Sequence, residues 1–183
     1  MKIALIGASG RVGSRVLAEL SSRGHSVTAI ARDPARVASL PGVTAIAGDI
    51  EATDALAELM KGHDAIISSV LFSASDADKL IVAVKASGVR RYYIVGGSGG
   101  LEVAPGKLLM DTPEFPDIYN VEAQAGVDFL DKLKAEDGLD WTFLAPSAVF
   151  EPGERTGTFR LGKDQLLTNE NGSSISFEDF AVA

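Results

Sequence analysis

Cysteine is absent from this 183-residue chain, which removes a disulfide framework and thiolate chemistry together. Histidine is almost absent. His25 and His63 each follow a glycine ahead of an apolar run, where turn and rim roles suit them, and no metal site is expected. Basic residues are outnumbered, 17 Lys and Arg against 25 Asp and Glu, for a formal charge of −8. Neutralising phosphates along a polymer needs clustered Lys and Arg, so nucleic acid is not an expected partner. No apolar run is long enough to cross a bilayer. No membrane partner is expected, and with no signal-type segment ahead of the first apolar run the expected location is cytoplasmic. What remains is ordinary: 46% hydrophobic and 23% charged residues fit one globular domain with a proper core.

Apolar runs near 2–7, 26–31, 43–47, 64–70, 91–96 and 141–146 read as strands. Helical-period segments separate them, near 11–23, 34–39, 52–60, 75–88 and 117–137. Ala55, Leu56, Leu59 and Met60 make the stripe of the third helix; Val121, Ala125, Phe129, Leu130 and Leu133 make that of the fifth. Strands alternating with helices imply an α/β fold, a doubly wound parallel sheet of the Rossmann type, with its ligand crevice beyond the strand C-termini where the winding reverses.

One segment gives that crevice a chemistry. Gly7-Ala8-Ser9-Gly10-Arg11-Val12-Gly13 lies between the first strand and the first helix, and three glycines so spaced bring main-chain N–H groups close to a pyrophosphate at a helix N-terminus. Gly7, Ser9, Gly10, Arg11, Val12 and Gly13 are therefore candidate cofactor-binding residues. The GxxGxxG spacing differs from the GxGxxG of dehydrogenases and points to the short-chain dehydrogenase/reductase branch. At the end of the second strand, where such a site reads the adenosine ribose, stands Arg32. Its guanidinium suits a 2′-phosphate, with Arg11 as a second cation, so NADP(H) is favoured over NAD(H). Asp33 reads either as a ribose ligand or as the cap of the helix opened by Pro34. Asp49 and Ile50 follow the third strand, where an acid accepts from the adenine amino group and an aliphatic residue covers the ring; Asp49 reads equally as a helix N-cap. Ser68 and Ser69 leave the fourth strand beside the expected nicotinamide ribose, where either could instead cap the next turn of the chain.

Gly96 to Pro116 carries eight Gly and Pro residues and is expected to be a loop, either a binding wall or a plain surface excursion. After Pro146 the βα alternation stops, and 147–183 is expected to form a small cap with short extended pieces such as Thr158 to Leu161. Ser176 to Glu178 signals a helix start, and the chain ends within that helix, which suggests further C-terminal residues.

Together with Gly7, Gly10 and Gly13, the runs Ala31-Arg32-Asp33-Pro34, Gly48-Asp49 and Ala145-Pro146-Ser147-Ala148-Val149-Phe150-Glu151-Pro152-Gly153-Glu154-Arg155-Thr156-Gly157 resemble the atypical short-chain dehydrogenase/reductases of the NAD(P)H-binding, NmrA-like family, NADH-flavin reductase group. The resemblance spans essentially the whole chain. It implies cofactor contacts that include Pro146, and a flavin, quinone or similar conjugated ring as hydride acceptor. Phe72, Ser98, Leu101, Tyr119, Pro146 and Phe150 are the candidate pocket wall, although core packing is the stronger reading for the apolar ones. Ordinary members of the superfamily use a Tyr-x-x-x-Lys pair whose lysine lowers the tyrosine pKa. This chain offers Tyr119-Asn120-Val121-Glu122-Ala123, without the lysine. Catalytic residues are thus unassigned, with Ser98 and Tyr119 as candidates; a ring that is its own electron sink does not need the pair. Glu151 and Arg155 are expected to pair and hold the cap. A small-molecule acceptor and at most a second copy of the chain are the expected partners. A non-catalytic NAD(P) sensor is the alternative, because related NmrA-like proteins bind the cofactor without turnover. Sugar-nucleotide epimerase or dehydratase chemistry is disfavoured for want of the Tyr–Lys pair and a larger substrate domain.

Overall fold

The computed structural model describes residues 1–183. In chain order the elements are β1 Lys2–Ile6, α1 Gly13–Ser22, β2 Ser26–Ala31, β3 Val43–Ala47, α2 Thr53–Met60, β4 Ala65–Ser68, α3 Ala77–Ala86, β5 Arg91–Val95, β6 Glu102–Ala104, β7 Lys107–Leu108, α4 Asn120–Lys134, β8 Asp140–Leu144, β9 Val149–Glu151, β10 Ser174–Ser176 and α5 Phe177–Val182. Six strands form one parallel sheet in the order β3-β2-β1-β4-β5-β8. This is the doubly wound Rossmann order, and it reverses between β1 and β4. Ile6 lies in register with Ile30 on one side and Ser68 on the other, so the crevice opens beyond those three residues.

Two hydrophobic clusters make three layers. The larger joins Leu56 and Met60 of α2, Leu80 and Val84 of α3, and Phe129 and Leu133 of α4 to Ile66 and Tyr92 of the sheet. The smaller places Val16 and Leu17 of α1 against Leu5, Val27 and Ala29, with Ala181 of α5 at its margin. Burying each such large side chain contributes about 1.5–3 kcal/mol. No helix is long and apolar enough to cross a membrane.

All six expected sheet strands form, within two residues of their expected ends, and four of the five expected helices do. The exception is 34–39, where only a single 3-10 turn, Pro34–Arg36, forms between β2 and β3. Two helix stripes also shift. Ala55 is exposed while Ala57 is buried. Val121 is 74% exposed and Gly126 takes the inner position, packed against the Phe72 ring. β3 is an edge strand with Thr44, Ala45 and Ala47 exposed, so the sheet is not covered there. The Gly96 to Pro116 segment is more ordered than a loop: it holds the β6–β7 hairpin and 3-10 turns at Ser98–Gly100 and Leu109–Asp111. Beyond Pro146, β9 and β10 pair in parallel, whereas Thr158 to Leu161 joins no strand.

Candidate functional site

The glycine turn is built by backbone contact. Gly7 has φ +82°, and a Cβ on it would lie 2.1 Å from the Ser69 carbonyl oxygen. A Cβ on Gly13 would lie 2.1 Å from the Gly7 carbonyl oxygen, and one on Gly10 would lie 3.2 Å from it. Only glycine lets the turn, the start of α1 and the chain leaving β4 approach this closely. Gly7 N–H donates to Ile30 O at 3.0 Å and Gly10 N–H to Gly7 O at 2.9 Å. The N–H groups of Ser9, Arg11, Val12 and Gly13 donate to no group of the chain. They stand at the N-terminus of α1, where helix geometry favours an anion.

Arg32 leaves β2 directly and is exposed. Nine of the 17 Lys and Arg side chains pair with a carboxylate; Arg11, Arg32 and Arg36 are among the eight that do not. The Arg11 guanidinium lies 5.3 Å from the centre of the Phe177 ring, with that of Arg15 at 5.8 Å. Asp33 Oδ1 accepts from Ala35 N–H at 3.0 Å and caps the 3-10 turn. Asp49 Oδ1 accepts from Glu51 N–H at 3.0 Å; this is a local turn two residues on, while Ala52 holds the N-cap place of α2. Ile50 packs at the margin of the larger core.

Other expected site residues fall elsewhere. The Ser68 side chain turns into the core and bonds Tyr92 Oη at 2.8 Å, and burial pushes the Tyr92 phenol up from its ordinary pKa. Ser69 N–H donates to Ile6 O at 2.9 Å. Phe72 is core, its ring centre 5.3 Å from that of Phe129 and 5.6 Å from that of Phe143. Phe150 joins Phe177 at 4.6 Å and Phe180 at 4.9 Å in an aromatic cluster against α5. Phe72 is thus part of the core, while the half-buried Phe150 ring packs on two aromatics of α5. Pro146 is buried, and Ser98 and Leu101 are half-buried at the turn leaving β5. Tyr119 stands just before α4 and is 55% exposed.

Structure supplied what the residue pattern did not. Arg155 pairs with Glu19, Nε and Nη2 each at 2.8 Å from a carboxylate oxygen. It does not pair with Glu151. Arg23 Nε also reaches Glu19 at 2.8 Å, and the Arg155 hydrogen bond, outweighing the burial that opposes it, brings the Glu19 pKa down to about 2. Nothing in the sequence marks Glu19 apart from its i,i+4 spacing to Arg23, which looks like an ordinary surface pair. Asp179 accepts from Thr156 Oγ1 at 2.6 Å and Gly157 N–H at 2.7 Å. Together with Gly153 N–H on Glu178 at 2.8 Å, these bonds tie 153–157 to α5 and α1. Around α4, Glu122 accepts from Phe72 and Ser73, and a Cβ on Gly99 would lie 2.6 Å from that of Ala123. The helical position that a Tyr-x-x-x-Lys lysine would occupy is therefore filled by the 98–100 backbone packed on a small side chain.

A family model described as NAD(P)H-binding matches residues 7–183. A Burkholderia pseudomallei structure named a “putative exported protein” is 42% identical, with TM-score 0.89 over 100% of this chain and 90% of that one. A Bacteroides thetaiotaomicron “putative epimerase” is 39% identical, with TM-score 0.92 over 99% and 87%. A Streptococcus pneumoniae “putative NADH-flavin reductase” is 33% identical, with TM-score 0.82 over 100% and 90%.

Proposed function

For a chain that belongs to the NAD(P)H-binding family, and so to a group of oxidoreductase-like proteins, we propose an NADP(H)-preferring reductase acting on a flavin, quinone or similar conjugated ring. The observation that carries the cofactor half is the row of unspent amides at Ser9, Arg11, Val12 and Gly13, beside an unpaired Arg32. These residues suit a pyrophosphate and a 2′-phosphate in turn. Bound NAD(P)H supplies a hydride to the acceptor. In this reading Gly7, Gly10 and Gly13 let the backbone close on the phosphates, and Asp49 and Ile50 flank the adenine. Ser69 and Pro146 border the nicotinamide end, where Ser98, Leu101 and Tyr119 face the acceptor.

The acceptor half is supported by what surrounds Tyr119. With Ala123 packed on the 98–100 turn there is no lysine to lower the phenol pKa, which disfavours alcohol, ketone and epimerase chemistry. A conjugated ring takes the electron pair itself and its proton from water, so the chain need only hold it and exclude side reactions. Tyr119→Phe then leaves flavin reduction largely intact. We further take the protein to be cytoplasmic, with 147–183 as a small cap over the cofactor edge and a homodimer as a candidate assembly.

A non-catalytic NAD(P) sensor is the second reading, favoured by the exposed apolar residues Ile118 (81%), Val121 and Tyr119 next to the crevice, a surface that would suit a protein partner. Titrating the purified protein with NADPH and NADH by nicotinamide fluorescence, then adding riboflavin, FMN or a quinone and following reduced-nicotinamide absorbance, separates the two. Saturable, protein-dependent oxidation supports the reductase. Tight binding without oxidation of any acceptor supports the sensor.

A further inference from the structure

Glu122 lies in the first turn of α4 and spends its whole carboxylate on the segment leaving β4. Oε1 accepts from Phe72 N–H at 2.8 Å, and Oε2 accepts from Ser73 N–H at 2.9 Å and Ser73 Oγ at 2.5 Å. No Lys or Arg pairs with it. Three hydrogen bonds to one half-buried anion are stronger than neutral ones. Beneath them the Phe72 ring rests on Gly126, where a Cβ would lie 3.1 Å from Phe72 Cδ2. One residue further along α4, Ala123 seats the turn leaving β5 through Gly99. The two turns that flank the acceptor end of the crevice are therefore both referred to consecutive residues of one helix. The second is held by close packing, the first by a carboxylate.

We infer that Glu122 is a positioning residue for the acceptor: it fixes the 71–74 turn to α4 and so sets the shape of the surface on which the acceptor ring lies, without touching the ring itself. The inference rests on the reductase reading. It assigns a role to a side chain that neither the glycine turn nor the Tyr-x-x-x-Lys comparison points to. Because the tether acts at 71–74 and the free amides lie at Ser9 and Arg11 to Gly13, loss of the tether acts on the acceptor and spares cofactor binding.

The test compares wild type, Ser73→Ala, Glu122→Gln and Glu122→Ala. Expected are faster hydrogen exchange at 71–75, and an acceptor kcat that falls in the order written, by roughly tenfold or more for Glu122→Ala. NADPH Kd should stay within about twofold per folded molecule, with the partial activity of Glu122→Gln marking graded loss of the tether. Unchanged exchange at 71–75 overturns the inference. So does faster exchange with kinetics unchanged per folded molecule, or a loss of NADPH affinity in step with kcat. If wild type oxidises no acceptor, the reductase reading fails separately, and quenching of riboflavin fluorescence by the protein with NADP+ then decides. Weaker riboflavin binding in Glu122→Ala supports the positioning role, and equal binding overturns it.

Discussion

A single carboxylate shows how far a residue's role depends on its surroundings. Glu19 is 6% exposed and receives two guanidinium groups, one from the residue that caps the end of its own helix and one from 136 residues further along. Its pKa of about 2 lies below the ordinary 4.5, so the unfolded chain binds the proton more readily. The stabilisation is complete above about pH 4.5 and is lost as pH falls toward 2. Glu19→Gln should lower stability at pH 7 by about 2 kcal/mol, discounted for the exposed arginines, and thermal melts across pH should show the gap to wild type closing below pH 4.5. A gap that persists at pH 2 would contradict the ion-pair account. Arg32 is the opposite case, a cation with nothing in the chain to hold. Arg32→Ala should weaken NADPH by roughly tenfold to a hundredfold, the loss of charge-assisted bonds, and NADH far less. Equal losses in fluorescence titrations would show that Arg32 does not read a 2′-phosphate.

Among elements, the glycine turn has a graded tolerance that the spacing alone does not reveal. Gly7 and Gly13 each face a carbonyl oxygen 2.1 Å from the added Cβ, while Gly10 has 3.2 Å. Gly7→Ala and Gly13→Ala should each destabilise by about 2–4 kcal/mol, overlap adding to the positive-φ cost at Gly7. Gly10→Ala should cost about 1 kcal/mol or less. Urea midpoints rank the three, and a Gly10 variant as damaging as the others would contradict the packing. The helices were legible from their apolar periods, since α1, α2 and α4 form without a side-chain cap, and one was legible from its cap. Ser176 accepts from Asp179 N–H at 3.0 Å, as a helix-opening serine should. The segment 34–39 was not legible: only the turn Pro34–Arg36, opened by the Asp33 cap, forms there.

At the scale of the molecule charge is unevenly distributed along the chain. Arg11, Arg32 and Arg36, which the proposed function assigns to the cofactor phosphates, make no ion pair, whereas residues 108–131, which include the proposed acceptor-side Tyr119, contain six Asp and Glu and no Lys or Arg. A phosphate-bearing acceptor meets that charge and an uncharged ring does not. Riboflavin or a neutral quinone should therefore be reduced with a kcat/KM roughly tenfold above that of FMN at low salt. The gap should narrow at about 0.5 M salt as screening shortens the range of the repulsion. Steady-state assays at two ionic strengths check this, and preference for FMN at low salt would remove the argument.

The parallel sheet, its winding and the place of the glycine turn followed from the sequence alone. They depend on local signals: apolar runs of strand length, intervening helical periods, and glycines set between a strand and a helix. The partners of individual side chains did not. Glu19 with Arg155, Glu122 with the 71–74 turn, Ser68 with Tyr92 and Phe150 with Phe177 join residues 24 to 136 positions apart. Which of several charged or aromatic residues meet is decided by how the layers pack. Local pattern specifies the elements, and only their packing specifies which chemistry each side chain has left to offer a ligand.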